Sequence, residues 1–141
     1  MGLRRKSREL ALQFLYGHDV QAGSCDEEEL LASLNEFFTS FQADGKSIAY
    51  AEQLVVGICR HRKDIDSLLS RSSHNWRVER MASVDRNILR IAAYEMKYDE
   101  DVPATVAINE ALEIAKRYAE PDAVGFINGI LDGLQEKKQS T

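Results

Sequence analysis

The sequence predicts an all-α protein of about seven helices. Three observations predict it. Apolar residues recur at spacings of three and four along nearly the whole chain, strand-like alternation is almost absent, and only two prolines, Pro103 and Pro121, interrupt 141 residues. A chain of that length holds one core or two small packed halves. Short connections favour a helical bundle, and the stretch from Ser70 to His74 is its natural division, giving halves of residues 1–72 and 73–141. No internal repeat is evident.

The first helix should run from Leu3 to Val20 and end near Gly23. At 100° per residue, Leu3, Ser7, Leu10, Ala11, Phe14 and His18 share its core face. Arg5, Leu12 and Tyr16 fall opposite, flanked by Arg8 and Glu9. Arg4, Arg5, Lys6 and Arg8 therefore crowd a helix start, where the backbone dipole makes each cation cost a few tenths of a kcal/mol. Something other than folding asks for them. A solvated face would carry polar residues at positions 12 and 16, so the outer face reads as two adjoining surfaces, one for phosphate and one for protein. The alternatives are a solvated terminus for the cations and burial of Leu12 and Tyr16 under another helix of the chain.

The second helix opens with Ser24-Cys25-Asp26-Glu27, a capping box that explains its acidic start. After QADGK, the stretch SIAYAEQLVVGICRHRKDIDSLLS reads as one long helix, with Ile48, Ala51, Val55, Ile58, Ile65 and Leu69 on a single stripe. Its RHRK run, Arg60 to Lys63, could extend an RNA-binding surface, but beside Asp64 and Asp66 it is more simply a mixed-charge solvated face. A short helical piece follows around NWRVERM. The helix SVDRNILRIAAYEM should be capped by Ser83 and bury Val84, Ile88, Ile91, Ala92 and Met96. The last two begin at Pro103 and Pro121, because proline suits a helix start. One buries Ile108, Ala111, Ala115 and Tyr118; the other buries Val124, Ile127, Leu131 and Leu134. Gly125, Gly129 and Gly133 recur every fourth residue in the final helix, each costing up to about 1 kcal/mol relative to alanine. They need a reason: close approach of another helix, or of a ligand's backbone.

Composition narrows the function. A net charge of −5 and a pI near 5.2 argue against indiscriminate nucleic-acid binding but allow a local basic patch. Cys25 and Cys59 lie in no metal-ligating or disulfide pattern and read as reduced. No apolar run is long enough to span a bilayer, and the basic start lacks the features of a signal peptide, so a cytoplasmic protein is expected. His18, His61 and His74 are scattered, and no nucleophile–base pair, paired carboxylates, metal spacing or phosphate loop appears. The expectation is a protein that is not an enzyme and uses neither metal nor cofactor.

Three blocks, RRKSRELALQFLYG, NILRIAAYEM and DVPATVAINEALEIAKRYAEPDAVGFINGILDGL, together resemble the NusB family of transcription antitermination factors. The third is the most specific, VAINEALEIAKRY followed by FINGILD. Residues from Gly23 to Trp76 match mainly in length and helical pattern. The resemblance implies two packed three-helix bundles. It also implies a partner, the small-subunit ribosomal protein that doubles as Nus factor E, and an RNA, the boxA element of ribosomal RNA leaders. The pair joins the RNA polymerase antitermination complex and suppresses premature termination.

Carried over by position, the resemblance assigns Arg4, Arg5, Lys6 and Arg8 to RNA phosphates, and Tyr118, Phe126 and Asp122 to the RNA surface. Stacking of splayed bases on rings suits single-stranded RNA. Asp122 is equally explained as an acid favoured by the helix dipole. Tyr16, Asp85 and, less closely, Glu79 match positions that meet the protein partner, with Leu12 adjoining them. Where relatives often place a basic residue before the Phe of FINGILD, this chain has Gly125, which implies weaker RNA binding without the partner. Rival readings are the NusB-like front domain of some ribosomal RNA methyltransferases, which continue into a catalytic domain, and a stand-alone module with an altered RNA target. A homodimer burying Leu12 and Tyr16 and masking the arginine-rich helix is a third.

Overall fold

Local capping and packing decide where each helix starts and stops. The computed structural model describes residues 2–20, 26–41, 43–74 and 76–139, whose backbone forms seven α-helices, one single-turn 3-10 segment and no strand. They fall into two compact units, Met1–His61 and Arg62–Thr141.

The first unit holds α1 (Gly2–Val20), α2 (Glu27–Thr39) and α3 (Gly45–Arg60). Helices α1 and α3 pack along each other, and the Ser7 hydroxyl donates to the Ser47 carbonyl at 2.8 Å between them. The core combines Leu10, Ala11, Phe14, Leu30, Leu34, Ala51, Leu54, Val55 and Ile58. Each fully buried Leu, Ile, Val or Phe side chain among them stabilises by about 1.5–3 kcal/mol. Helix α2 starts later than the capping box predicted. Asp26 accepts from the Glu29 N–H at 3.3 Å, while Gly23, Ser24 and Cys25, on which the capping-box reading rested, lie outside the described residues, as does the side chain of Leu3. Glu27 instead pairs with Arg60 at 2.7 Å, which holds its carboxyl below the ordinary range. Both partners are exposed, so the pair contributes little to stability.

The expected long helix breaks at His61. Its N–H still closes on the Gly57 carbonyl at 3.1 Å, but the chain restarts as α4 (Arg62–Ser72), which packs against helices of the second unit. The compact units divide at His61/Arg62, with three helices in the first and four in the second.

The second unit adds the 3-10 turn Val78–Arg80, α5 (Ser83–Tyr98), α6 (Ala104–Tyr118) and α7 (Pro121–Gln139). Helix α5 is its centre, buried from Asn87 to Met96 and packed against α4, α6 and α7. Within it Arg90 is buried and forks onto Asp66 of α4, at 2.9 Å and 3.0 Å, while also donating to the Asn87 side-chain oxygen at 3.0 Å. Such a bidentate pair fixes α4 on α5 by geometry as well as charge. Asn87 in turn donates to the Ser83 carbonyl at 2.8 Å. Ser83 is thus the first helical residue and not the cap; Ala82 holds the cap position without a side-chain bond. Proline delimits the last helices as expected, Pro103 at the cap of α6 and Pro121 opening α7. Of the three glycines, Gly133 alone lies near another helix, 3.6 Å from the Ser72 carbonyl to the position a Cβ would take. A Cβ at Gly125 or Gly129 would meet no atom within 4 Å, so helix packing does not account for them.

Candidate nucleic-acid interface

In the first unit the candidate surface is the start of α1. Its first turn carries no acid. Arg4 and Lys6 are exposed and Arg5 is half-buried. The Arg4 guanidinium lies over the Tyr50 ring of α3, 4.6 Å from its centroid, which steadies the cation without neutralising it. These three can meet phosphate.

Arg8 cannot. It is only 2% exposed, and neither it nor the buried Glu9 is without a partner. Leu12, 3% exposed, is buried as well, which leaves Tyr16 at 46% exposure as the one of the pair that reaches the surface. The assignments of Arg8 to RNA and of Leu12 to a protein partner, or to a second copy, are therefore corrected. Helix α1 is buried on all sides from Ser7 to Leu15 except at Gln13, so its outer face is not a solvated face.

In the second unit the candidate residues gather where α6 gives way to α7. Lys116 and Arg117 sit in the last turn of α6, where cations suit the dipole. Tyr118 was expected both in the core and at the RNA surface; it is exposed, with Arg117 5.8 Å from its ring centroid. Asp122, in the first turn of α7, is exposed, and Phe126 lies one turn further on the same side. Phe126, 37% exposed, meets the Trp76 ring edge-on at 6.2 Å. No reading of the sequence singled out Trp76, because the contact joins residues far apart in the chain.

The acids lie close by in the same unit. Asp85 is half-buried in the first turn of α5, and burial, then the charge of Glu120, pushes its carboxyl above the ordinary range. Glu79 is exposed on the 3-10 turn, which Arg86 pins by donating to the Glu79 and Met81 carbonyls, both at 3.2 Å. In the RHRK run Arg60 is paired with Glu27 and Arg62 with Asp66 at 3.7 Å, in keeping with a mixed-charge face. Among the described residues no group of acids, histidines and cysteines is arranged to hold a metal, and no helix is long and apolar enough to cross a membrane.

The fold and these surfaces define a small all-helical protein that presents cations, rings and acids. Comparison with known proteins places it further. The NusB family pattern matches residues 5–136. The transcription antitermination protein NusB of Trichlorobacter lovleyi is 45% identical over 135 residues, covering 96% of this chain and 92% of that protein. The solved NusB of T. maritima is 37% identical, with a TM-score of 0.79 over 92% of this chain and 87% of its own. A NusB solved with NusE and double-stranded RNA shares the fold, with a TM-score of 0.79 at 24% identity over 97% of this chain and 98% of its own. The chain belongs to the NusB family.

Proposed function

We propose that this chain is a transcription antitermination factor: with the ribosomal protein that serves as Nus factor E it binds boxA RNA, and the complex keeps RNA polymerase from terminating early. One observation carries the reading, the 45% identity with an antitermination protein across nearly the whole chain. The surfaces are suited to it. Arg4, Arg5 and Lys6 supply charge to phosphates on a chain that is otherwise acidic, and Tyr118 and Phe126 supply ring faces to unstacked bases. Asp122 beside them would repel phosphate and limit affinity. Tyr16, Asp85 and Glu79 offer a ring and two acids to a basic ribosomal protein, and such complementarity governs steering and partner choice. The protein works by binding in the cytoplasm and not by catalysis.

The test is fluorescence anisotropy of a short boxA RNA, beside a scrambled RNA, titrated with the chain alone and with its folded ribosomal partner. Tighter binding to boxA when the partner is present is expected. Equal affinity for both RNAs in the presence of that partner would overturn the reading.

A further inference from the structure

We propose that Trp76 is a second base-stacking surface, forming with Phe126 a two-walled corner that holds one nucleobase of single-stranded RNA; the inference rests on the RNA reading above and adds a residue to it. Trp76 is 54% exposed, more than any other large hydrophobic side chain in the described residues. A lone exposed ring is ordinary. This one meets a second exposed ring at 6.2 Å and 70°, an edge-on geometry that sets two exposed rings as a steep step.

The corner is held in place. The Trp76 N–H donates to the Ser73 carbonyl at 3.2 Å, and its own carbonyl accepts from the Ser73 hydroxyl at 3.0 Å. Two residues on, Val78 is fully buried and anchors the segment. Phe126 rides on α7. A ring presented on fixed backbone loses little freedom when a base stacks on it.

Two further observations favour nucleic acid as the occupant. From Ser67 to Val84 the chain carries Arg71, Arg77 and Arg80 against the single acid Glu79, although the whole molecule is acidic. All three arginines are exposed. One turn beyond Phe126 on α7, Gly129 is exposed with open space where a side chain would stand, so a sugar–phosphate backbone can approach the helix closely. An apolar protein partner would call for neither the arginines nor the bare helix.

Trp76 is the only tryptophan, so its emission reports on the corner alone. The full chain is titrated with a short single-stranded boxA RNA and with an abasic oligomer of equal length, while anisotropy of labelled RNA records binding independently. Quenching by the RNA that saturates in step with anisotropy, and none from the abasic oligomer, is expected. Trp76→Ala should weaken RNA binding roughly tenfold, the scale of one stacked base, and Trp76→Phe should restore most of it. RNA that binds by anisotropy while emission and the Trp76→Ala affinity stay unchanged would overturn the proposal and leave the RNA reading intact. Emission that moves with the ribosomal partner but not with RNA would assign the corner to protein and overturn it too. No RNA binding in any form would overturn both. Should Trp76→Ala lose helical circular dichroism, the titration of the unaltered chain decides.

Discussion

Helices α1 and α7 are both 19 residues long, yet they use their surfaces in opposite ways. Helix α1 looks half solvated by sequence, yet from Ser7 to Leu15 it is buried on all sides but at Gln13, Arg8 and Glu9 included. Helix α7 looks, from its glycines, like a helix made for close packing, and it leaves Asp122, Gly125, Phe126 and Gly129 open. A charged residue does not mark a surface when it has a partner, and a glycine does not mark a contact. What α1 can offer to RNA is confined to its first turns, whereas α7 offers a ring beside bare backbone. In the proposed function the first unit would supply charge from one helix start, and the second would supply stacking rings, acids and the arginines around Trp76.

The largest effect should separate Leu12 from Tyr16. Leu12→Ala removes a buried side chain and should destabilise the fold by about 3 kcal/mol, seen as a lower denaturation midpoint. Tyr16→Ala should leave that midpoint nearly unchanged and weaken binding of the ribosomal partner. Equal midpoints for the two variants would break the account of α1.

On α7, Gly125→Lys has room for its side chain and replaces a residue that costs the helix up to about 1 kcal/mol. It should raise the midpoint slightly and tighten RNA binding by the chain alone. Weaker RNA binding would show that the bare backbone, not a missing cation, matters at this position.

The smallest effect concerns Asp85. Burial and Glu120 raise its carboxyl above the ordinary value, so the fold disfavours its charge. Its contribution to stability is full below the unfolded-state value and is lost as pH rises through the folded one. Asp85→Asn should therefore be marginally more stable than the parent at neutral pH, with the gain vanishing in acid, while binding the basic partner less well. Thermal midpoints across that pH range check the first half, and a partner titration checks the second.

Much of this was legible in the sequence, and the failures have physical causes. Pro103 and Pro121 mark α6 and α7 because proline cannot sit inside a helix. The break at His61 left no mark: no proline intervenes, and Ile58 and Ile65, two turns apart, keep the stripe in phase across it. Ser83 resembles a cap because it precedes an apolar run, but Asn87 takes its carbonyl instead. Arg8 sits among three cations that do reach the surface, and only tertiary packing separates it from them. The Trp76–Phe126 corner is a contact between distant segments, which periodicity does not register.

The division of labour between α1 and α7 is tested most directly by the salt dependence of boxA affinity for the parent chain, Arg5→Ala and Phe126→Ala. Each phosphate contact to single-stranded RNA adds about 0.7 to the slope of log affinity against log salt. Arg5→Ala should flatten the slope by about one such step, whereas Phe126→Ala should lower affinity at every salt concentration and leave the slope unchanged. An unchanged slope for Arg5→Ala, or a flattened one for Phe126→Ala, would contradict the account.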